Sequence, residues 1–397
     1  MNAKFTASKN VLKSALAEVM KSNTSSQLPI LECVLVAIEG QHLCLAATNL
    51  VTTTIKWIPL SEMAFEEAAI AIPGKLFSDI VTIAPTGDIS LEIDTKSHEV
   101  EIVAGKTKNK VKCLDPKEFP PLPAKPDHAS TVLPAGAWQT IASRVATFAH
   151  PKEDARPTLT GVSLEFEQEA FRAVATDGFR LAVQDFDGVK PGLEAKVVVP
   201  AAGFINASPA LGNDNPVEIL HDQNKLIAFT EDAMVAFQLL EGKYPEWQAI
   251  VPESFKYKCV VTPDQLEQAT KQALIIARGS EHKFGVTYVA EGNAFVVIGD
   301  DKAGSQSQAS MLSDSMASMY FVLNGVFVLQ AVAATKDAAK LTIRGNGDKK
   351  PVEITSDQVP GYKAILMPML FSSQDQERAD ELKALATEAS TAMDMEA

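Results

Sequence analysis

Residues able to do covalent chemistry are sparse in this chain. Asp177, in the run AVATDGFRLAV (173–183), and Asp301, at the end of IGDD, are carboxylates at turns and would suit a hydrolase. General acid–base work needs a partner within hydrogen-bond reach: a second carboxylate, a histidine or a metal. His42, His98, His128, His150, His221 and His282 are isolated, with no H-E-x-x-H among them. Cys33, Cys44, Cys113 and Cys259 lie far apart without a C-x-x-C, which fits neither a disulfide framework nor a zinc site. They read as small buried or surface residues in a reducing compartment. Gly105-Lys106-Thr107 imitates the end of a phosphate-binding loop, but Val100 stands where its first glycine should be. The expectation is a protein that is not an enzyme, with no catalytic residue, metal or cofactor. Asp177 is then a turn builder, since Asp and Asn both accept backbone hydrogen bonds in tight turns.

The elements that carry these turns recur. PILECVLVAIEGQHLCLAATN (29–49) aligns without a gap on PTLTGVSLEFEQEAFRAVATD (157–177), an offset of 128. FGVTYVAEGNAFVVIGDD (284–301) aligns on the second copy at an offset of 124, placing Asp301 on Asp177. Asn49 holds the same place in the first copy, so the unit does not require a carboxylate there. Each copy alternates apolar and polar residues, breaks at a turn, and resumes, which is the period of an antiparallel hairpin with one buried face. Helical spacing precedes each hairpin: Val11, Leu12, Ala15, Leu16, Val19; Trp138, Ile141, Ala142, Val145, Phe148; and Leu266, Ala269, Ala273, Ile276. The spacing predicts amphipathic helices of three to four turns, and second helices follow at 72–84, 199–211 and 323–335. The fold class is α+β, with three repeated domains, each two helices on an antiparallel sheet. Their expected bounds are 1–126, 127–253 and 254–371, followed by an acidic extension over 372–397. EFPPLPAKP (118–126) and GKYPEWQAIVPESF (242–255) have the composition of connectors.

Charge is distributed unevenly over these elements. The net charge of −14 argues against a broad basic surface gripping nucleic acid. Six helical windows nevertheless hold eight basic residues, among them Lys9, Lys13, Lys75, Arg144, Lys271 and Arg278, against four acidic ones. They carry +4, leaving −18 to the remainder, so the helices are the basic part of an acidic chain. No apolar stretch approaches the ~20 residues that span a bilayer, and the first residues lack an apolar signal core, so a cytoplasmic protein without membrane contact is expected.

The triplicated unit, LPIL (28–31), ATDGFRLAV (175–183), GKYPEW (242–247) and MPM (367–369) together resemble the bacterial-type DNA polymerase III β subunit, the replicative sliding clamp, in a cellular or phage-encoded form. The resemblance covers residues 1 to about 371. It implies a homodimeric six-domain ring, with helices lining the hole, that encircles duplex DNA without reading its sequence. The implied partners are the replicative polymerase, the clamp loader and other proteins with clamp-binding motifs. It also implies a hydrophobic peptide pocket at Leu159, Thr176, Gly178, Phe179, Arg180, Leu181, Pro245, Ile250, Val352, Ile365, Leu366, Met367, Pro368 and Met369. Arg156, in PKEDARPTLTG (151–161), matches a DNA-facing arginine, and joins Lys9, Lys13, Lys75, Arg144, Lys271 and Arg278 as a DNA-facing set.

Two features depart from that pattern. Phe179 and Leu370 stand where many relatives have histidine and arginine, which makes the pocket greasier, and the chain continues past Phe371. From 372 onward seven acids face two bases, and Ser373, Gln376, Leu382, Leu385, Ala386 and Ala389 spell a capped amphipathic helix, expected to pack near the pocket mouth. The alternatives to a ring are an open or monomeric scaffold that captures clamp-binding proteins, and the hydrolase built on Asp177 and Asp301.

Overall fold

The computed structural model describes residues 2–60, 68–124, 130–151, 156–192, 194–222, 224–279, 284–301, 303–315, 318–369 and 383–392. The chain forms two compact units: residues 1–142, 166–169 and 189–241 in one, and 143–165, 170–188 and 242–397 in the other.

In the first unit a four-stranded sheet runs in the order Asn2–Ser8, Asp88–Asp94, Glu99–Ala104, Thr107–Lys112. An eight-stranded sheet contains Ala69–Pro73, Cys33–Glu39, His42–Thr48 and Thr52–Pro59, then Ala233–Gln238, Lys225–Phe229, Val217–His221 and Thr131–Leu133. Its halves come from the first and second repeats and join where Thr52–Pro59 pairs antiparallel with Ala233–Gln238. Helices Lys9–Val19 and Gly74–Ile83 bury Leu12, Leu16, Val19, Phe77 and Val81 against the inward-facing strand residues. The alternation in ISLEI and EVEIV delivers Ile89, Leu91, Ile93, Val100 and Ile102 to that core, because successive strand residues point to opposite faces. Trp138 is fully buried and stacks on Phe204 at 3.9 Å between centroids.

The second unit repeats the plan. Strands Gly161–Glu167, Ala170–Thr176 and Arg180–Asp187 continue into Tyr362–Leu366, Val352–Thr355, Leu341–Gly345, Tyr257–Val261 and Asp314–Ser315. A four-stranded sheet runs Gln306–Leu312, Ala294–Asp300, Gly285–Glu291, Met319–Asn324. Helices Pro263–Ala277 and Gly325–Ala333 pack together on it, so closely that a Cβ on Gly299 would lie 2.1 Å from the carbonyl oxygen of Ala273. The helix expected over 134–150 is the irregular one: an α-turn at Ala137–Thr140, a π-helical stretch at Ile141–Val145, and a 3-10 turn at Ala146–Phe148. The 3-10 turn that ends it meets Arg180 through the Thr147 carbonyl and the Phe148 ring.

The outer faces of the hairpins are covered in three different ways. In the first repeat Phe119, with Leu114 and Leu122, packs in one cluster with Cys44, Ile55, Met234 and Ala236. In the second, Trp247 donates from Nε1 to Glu165 Oε1 at 3.0 Å and lies 5.4 Å from the Arg172 guanidinium. Val289 and Val296 hold the places of Glu165 and Arg172 in the third repeat, and there the cover is a helix over 383–392. Ala386 is fully buried on Val289, Val296 and Ile298, flanked by Leu385 and Ala389. Ser390 Oγ donates to Asn293 Oδ1 at 2.8 Å and accepts from the Asn293 backbone N–H at 3.3 Å. Gly292 allows this approach, with φ +56 and Ser390 Oγ 2.5 Å from where a Cβ would sit. The extension was expected near the pocket mouth; the described part of its helix seats on this sheet face, where the matched hairpin presents valine and isoleucine. Ser373, Gln376 and Leu382 lie outside the described residues.

Candidate functional site

Asp177 builds a turn. Its Oδ1 accepts the backbone N–H groups of Phe179 at 2.9 Å and Arg180 at 3.1 Å, while Thr176 Oγ1 donates to the Arg180 carbonyl at 2.6 Å. Gly178 adopts φ +90, which a side chain would resist. The turn throws Phe179 into solvent, 66% exposed, and turns Arg180 inward. Arg180 Nε donates to Asp177 Oδ2 at 2.8 Å and Nη2 to the Thr147 carbonyl at 3.2 Å. The guanidinium sits 4.3 Å from the Phe327 ring centroid and 5.0 Å from that of Phe148, two cation–π contacts in a desolvated setting. Its Nη1 is buried without a hydrogen-bond partner among the described residues.

Strand register sorts the expected pocket residues onto two faces. Thr176 pairs with Leu181, and Leu181 with Ile365, on the side where Arg172 meets Trp247. On that side the connector supplies Pro245, Ile250 and Tyr244, whose hydroxyl accepts from the Thr176 N–H at 3.1 Å. Met367 continues the line, donating its N–H to the Phe179 carbonyl at 2.9 Å and leaving its side chain 37% exposed. Leu159 is buried in the 3-10 turn Pro157–Thr160, whose Thr158 lies 3.1 Å from the Cβ position of Gly242 at the connector's start. Arg180, Leu366 and Val352 face the other way, and the latter two are core residues beneath the strand join. Pro368 and Met369 follow half-buried, with the Met369 N–H on the Val322 carbonyl at 2.9 Å. Leu370 lies outside the described residues. Phe179, Ile250 and Met367 expose apolar surface, Pro245 is half-buried and Leu181 is buried; we refer to this group as the apolar shelf.

The sequence did not single out Tyr244, Phe327 or Thr147, and gave Phe148 only as an apolar helix position; these residues fix the turn and the arginine. Tyr244, inside GKYPEW, carried a signal that could have found it, as did Phe148 through the helical spacing.

The basic residues are spread over separate elements. Lys13 and Lys75 are exposed on Lys9–Val19 and Gly74–Ile83, and Lys9 Nζ donates to the Ala84 carbonyl. Lys271 is exposed on Pro263–Ala277 beside Glu267, and Arg278 follows that helix, also exposed. Arg156 is exposed ahead of its 3-10 turn. Arg144 is half-buried, with its charge felt at the buried Tyr362 hydroxyl.

Little else here is reactive. Burial pushes the Cys33 thiol up to about 11 and those of Cys44 and Cys113 to about 12, and the four cysteines are unpaired. Among the described residues no group of three or more His, Cys, Asp or Glu could hold a metal, and no helix is long and apolar enough to cross a membrane.

Comparison with known proteins places these features. Residues 3–123 match the model for the N-terminal domain of the DNA polymerase III beta subunit, and residues 137–246 that for its central domain. A beta sliding clamp homolog, GriR, from Streptomyces muensis is 27% identical over 359 residues, spanning 87% of this chain and 92% of the relative. The beta sliding clamp of Escherichia coli K12 is 25% identical over 346 residues, spanning 86% and 92%. Among solved structures, the Bacillus subtilis sliding clamp superposes with a TM-score of 0.86 at 20% identity, covering 94% of this chain and all 100% of that one. A Pseudomonas aeruginosa clamp bound to griselimycin gives 0.85 at 21%, with coverage of 94% and 100%.

Proposed function

Because the chain belongs to the DNA polymerase III beta-subunit family, we propose that it is a sliding clamp: a non-catalytic ring that encircles duplex DNA and tethers the replicative polymerase. A ring raises the effective concentration of its cargo at the primer end without new chemistry. It has to be threaded by the duplex rather than bound tightly to it, which suits an acidic protein whose helices are its basic part.

The observation that carries this reading is the pair of strand joins. Thr52 stands opposite Phe237 at the first, and Arg180, its counterpart at an offset of 128, stands opposite Leu366 at the second. Thr107–Lys112 and Gln306–Leu312 are edge strands, each at one end of a four-stranded sheet whose other end is Asn2–Ser8 or Met319–Asn324 respectively. Gln306–Leu312 follows the third hairpin as Thr52–Pro59 and Arg180–Asp187 follow theirs. In a homodimer each such edge pairs with the Thr107–Lys112 edge of the partner, and two of these contacts close the ring. The three repeats, bounded near 126 and 253, then become six domains around the hole. Lys9, Lys13, Lys75, Arg144, Arg156, Lys271 and Arg278 supply its positive lining.

Partner recognition belongs to the shelf of Phe179, Leu181, Pro245, Ile250 and Met367, which receives short linear segments of the polymerase, the clamp loader and other clamp-binding proteins. The exposed Phe179 favours segments with an apolar flank. Work on duplex DNA is in keeping with a cytoplasmic location. Sedimentation equilibrium tests the closure: a mass near twice 42.6 kDa supports it, and a monomer at micromolar concentration supports the open scaffold instead.

A further inference from the structure

The turn at the first strand join copies the turn at the second, bond for bond. Asn49 Oδ1 accepts from Val51 N at 3.1 Å and Thr52 N at 2.7 Å, as Asp177 Oδ1 accepts from Phe179 and Arg180. Thr48 Oγ1 donates to the Thr52 carbonyl at 3.3 Å and accepts from Leu50 N at 3.1 Å; Thr176 Oγ1 does the same with Arg180 and Gly178. Gln238 donates its N–H to the Val51 carbonyl at 2.8 Å, as Met367 does to Phe179. The first join therefore shares these turn and cross-strand hydrogen bonds with the second.

It also has a cavity in the corresponding place. A space of about 190 Å³ is lined by Thr48, Leu50, Val51, Thr53, Ala236 and Gln238, with Pro120, Pro121 and Pro123 from the connector and Lys225 beside them. Thr53, Ala236 and Gln238 hold the places of Leu181, Ile365 and Met367, and the connector prolines take the role of Pro245. Leu50 stands where the second repeat has Gly178, yet it keeps the left-handed backbone with φ 72 and is 58% exposed. Leucine is a poor choice for that conformation on conformational grounds alone. Val51 is 46% exposed next to it. Here the apolar contacts come from the turn, where the second join draws them from its strands.

We infer that this cavity is a second peptide site, taking an extended partner segment that carries a small aliphatic side chain and a nearby carboxylate. The aliphatic group packs on Leu50, Val51 and the connector prolines. The carboxylate meets Lys225, a cation lining the cavity, and the Gln238 side chain offers hydrogen bonds where the shelf at the second join offers hydrocarbon. A segment so bound lies against the first join as another lies against the second, so one chain holds two different partners. This rests on the reading of the shelf around Met367 as a peptide site.

The test is calorimetric titration of the full-length protein with a synthetic hexapeptide, acetyl-Ala-Leu-Asp-Ala-Leu-Phe-amide. The expected result is two peptides per chain. Val51→Glu and Lys225→Glu each weaken one class at least tenfold and spare the other, and Met367→Glu does the reverse. One peptide per chain, lost with Met367→Glu and indifferent to the other two, overturns the second site and leaves the first standing. A second class that survives both Val51→Glu and Lys225→Glu overturns it as well, and no binding at all overturns both sites.

Discussion

The backbone N–H of Met367 donates to the carbonyl of Phe179 at 2.9 Å, stitching residues 188 positions apart into one edge. The contact extends the ladder in which Arg180–Asp187 pairs with Tyr362–Leu366, so the shelf is positioned by a strand join rather than by free loops. Rigid placement of this kind limits the ordering cost of capturing a peptide.

Asp177 and Arg180 form a buried pair, each side chain 7% exposed. Asp177→Asn keeps the turn, as Asn49 does in the first repeat, but removes the arginine's carboxylate partner. Breaking a buried pair from one side costs about 3 kcal/mol or more. Asp177→Asn with Arg180→Thr, which reproduces the Asn49 and Thr52 combination, is expected to recover much of that loss. Urea unfolding of the two single variants and the double variant gives the coupling energy; strictly additive losses would show that the pair does not act as a unit.

The 383–392 helix stabilises the third repeat by covering Val289, Val296 and Ile298. Truncation after Phe371 is expected to lower the unfolding free energy by roughly 1–3 kcal/mol, the scale of exposing one or two aliphatic side chains. Affinity for a peptide at the Met367 shelf is expected to stay within twofold. A truncated protein of unchanged stability and altered peptide affinity would reassign the helix from cover to regulator.

Much of this was legible in the sequence. The offsets of 128 and 124 found the repeats, and those repeats align Asn49, Asp177 and Asp301 at equivalent turns. Apolar alternation found the hairpins because one face of each is buried. The 134–150 helix is less regular than its apolar spacing predicts: it passes through a π-helical stretch and ends in a 3-10 turn whose Thr147 carbonyl meets Arg180, more than thirty residues further along the chain. Val352 and Leu366 show what pattern alone leaves open: they pair with each other across neighbouring strands, and the face a strand residue takes depends on that register. The seat of the C-terminal helix lay beyond local pattern, because it depends on which sheet face a matched hairpin leaves apolar.

Neutralising Lys9, Lys13, Lys75, Arg156 and Lys271 together is expected to shorten retention on nicked circular DNA and to flatten its salt dependence, as each lost phosphate contact lowers the slope by about one. Residence times at several salt concentrations measure both. Unchanged times and slope would show that these residues do not face the duplex.

Alkaline unfolding follows from the raised thiols. In the folded state Cys33 titrates at about 11, and Cys44 and Cys113 at about 12, whereas the unfolded chain releases those protons near 9.0. Above that pH the unfolded state binds fewer protons, so stability falls as pH rises from about 9 towards 11–12. The stability these groups contribute is fully present below pH 9. Thermal unfolding between pH 7 and 11 reads the decline; a flat profile would mean that the thiols are accessible to solvent in the folded protein.

Single-particle imaging of the purified protein bears most directly on the central claim. Pairing of the Thr107–Lys112 edge with the partner's Gln306–Leu312 edge predicts a closed annulus of two copies with six lobes around an opening wide enough for a duplex. Compact or open particles with no central hole, at concentrations where the mass is that of a dimer, would contradict the account.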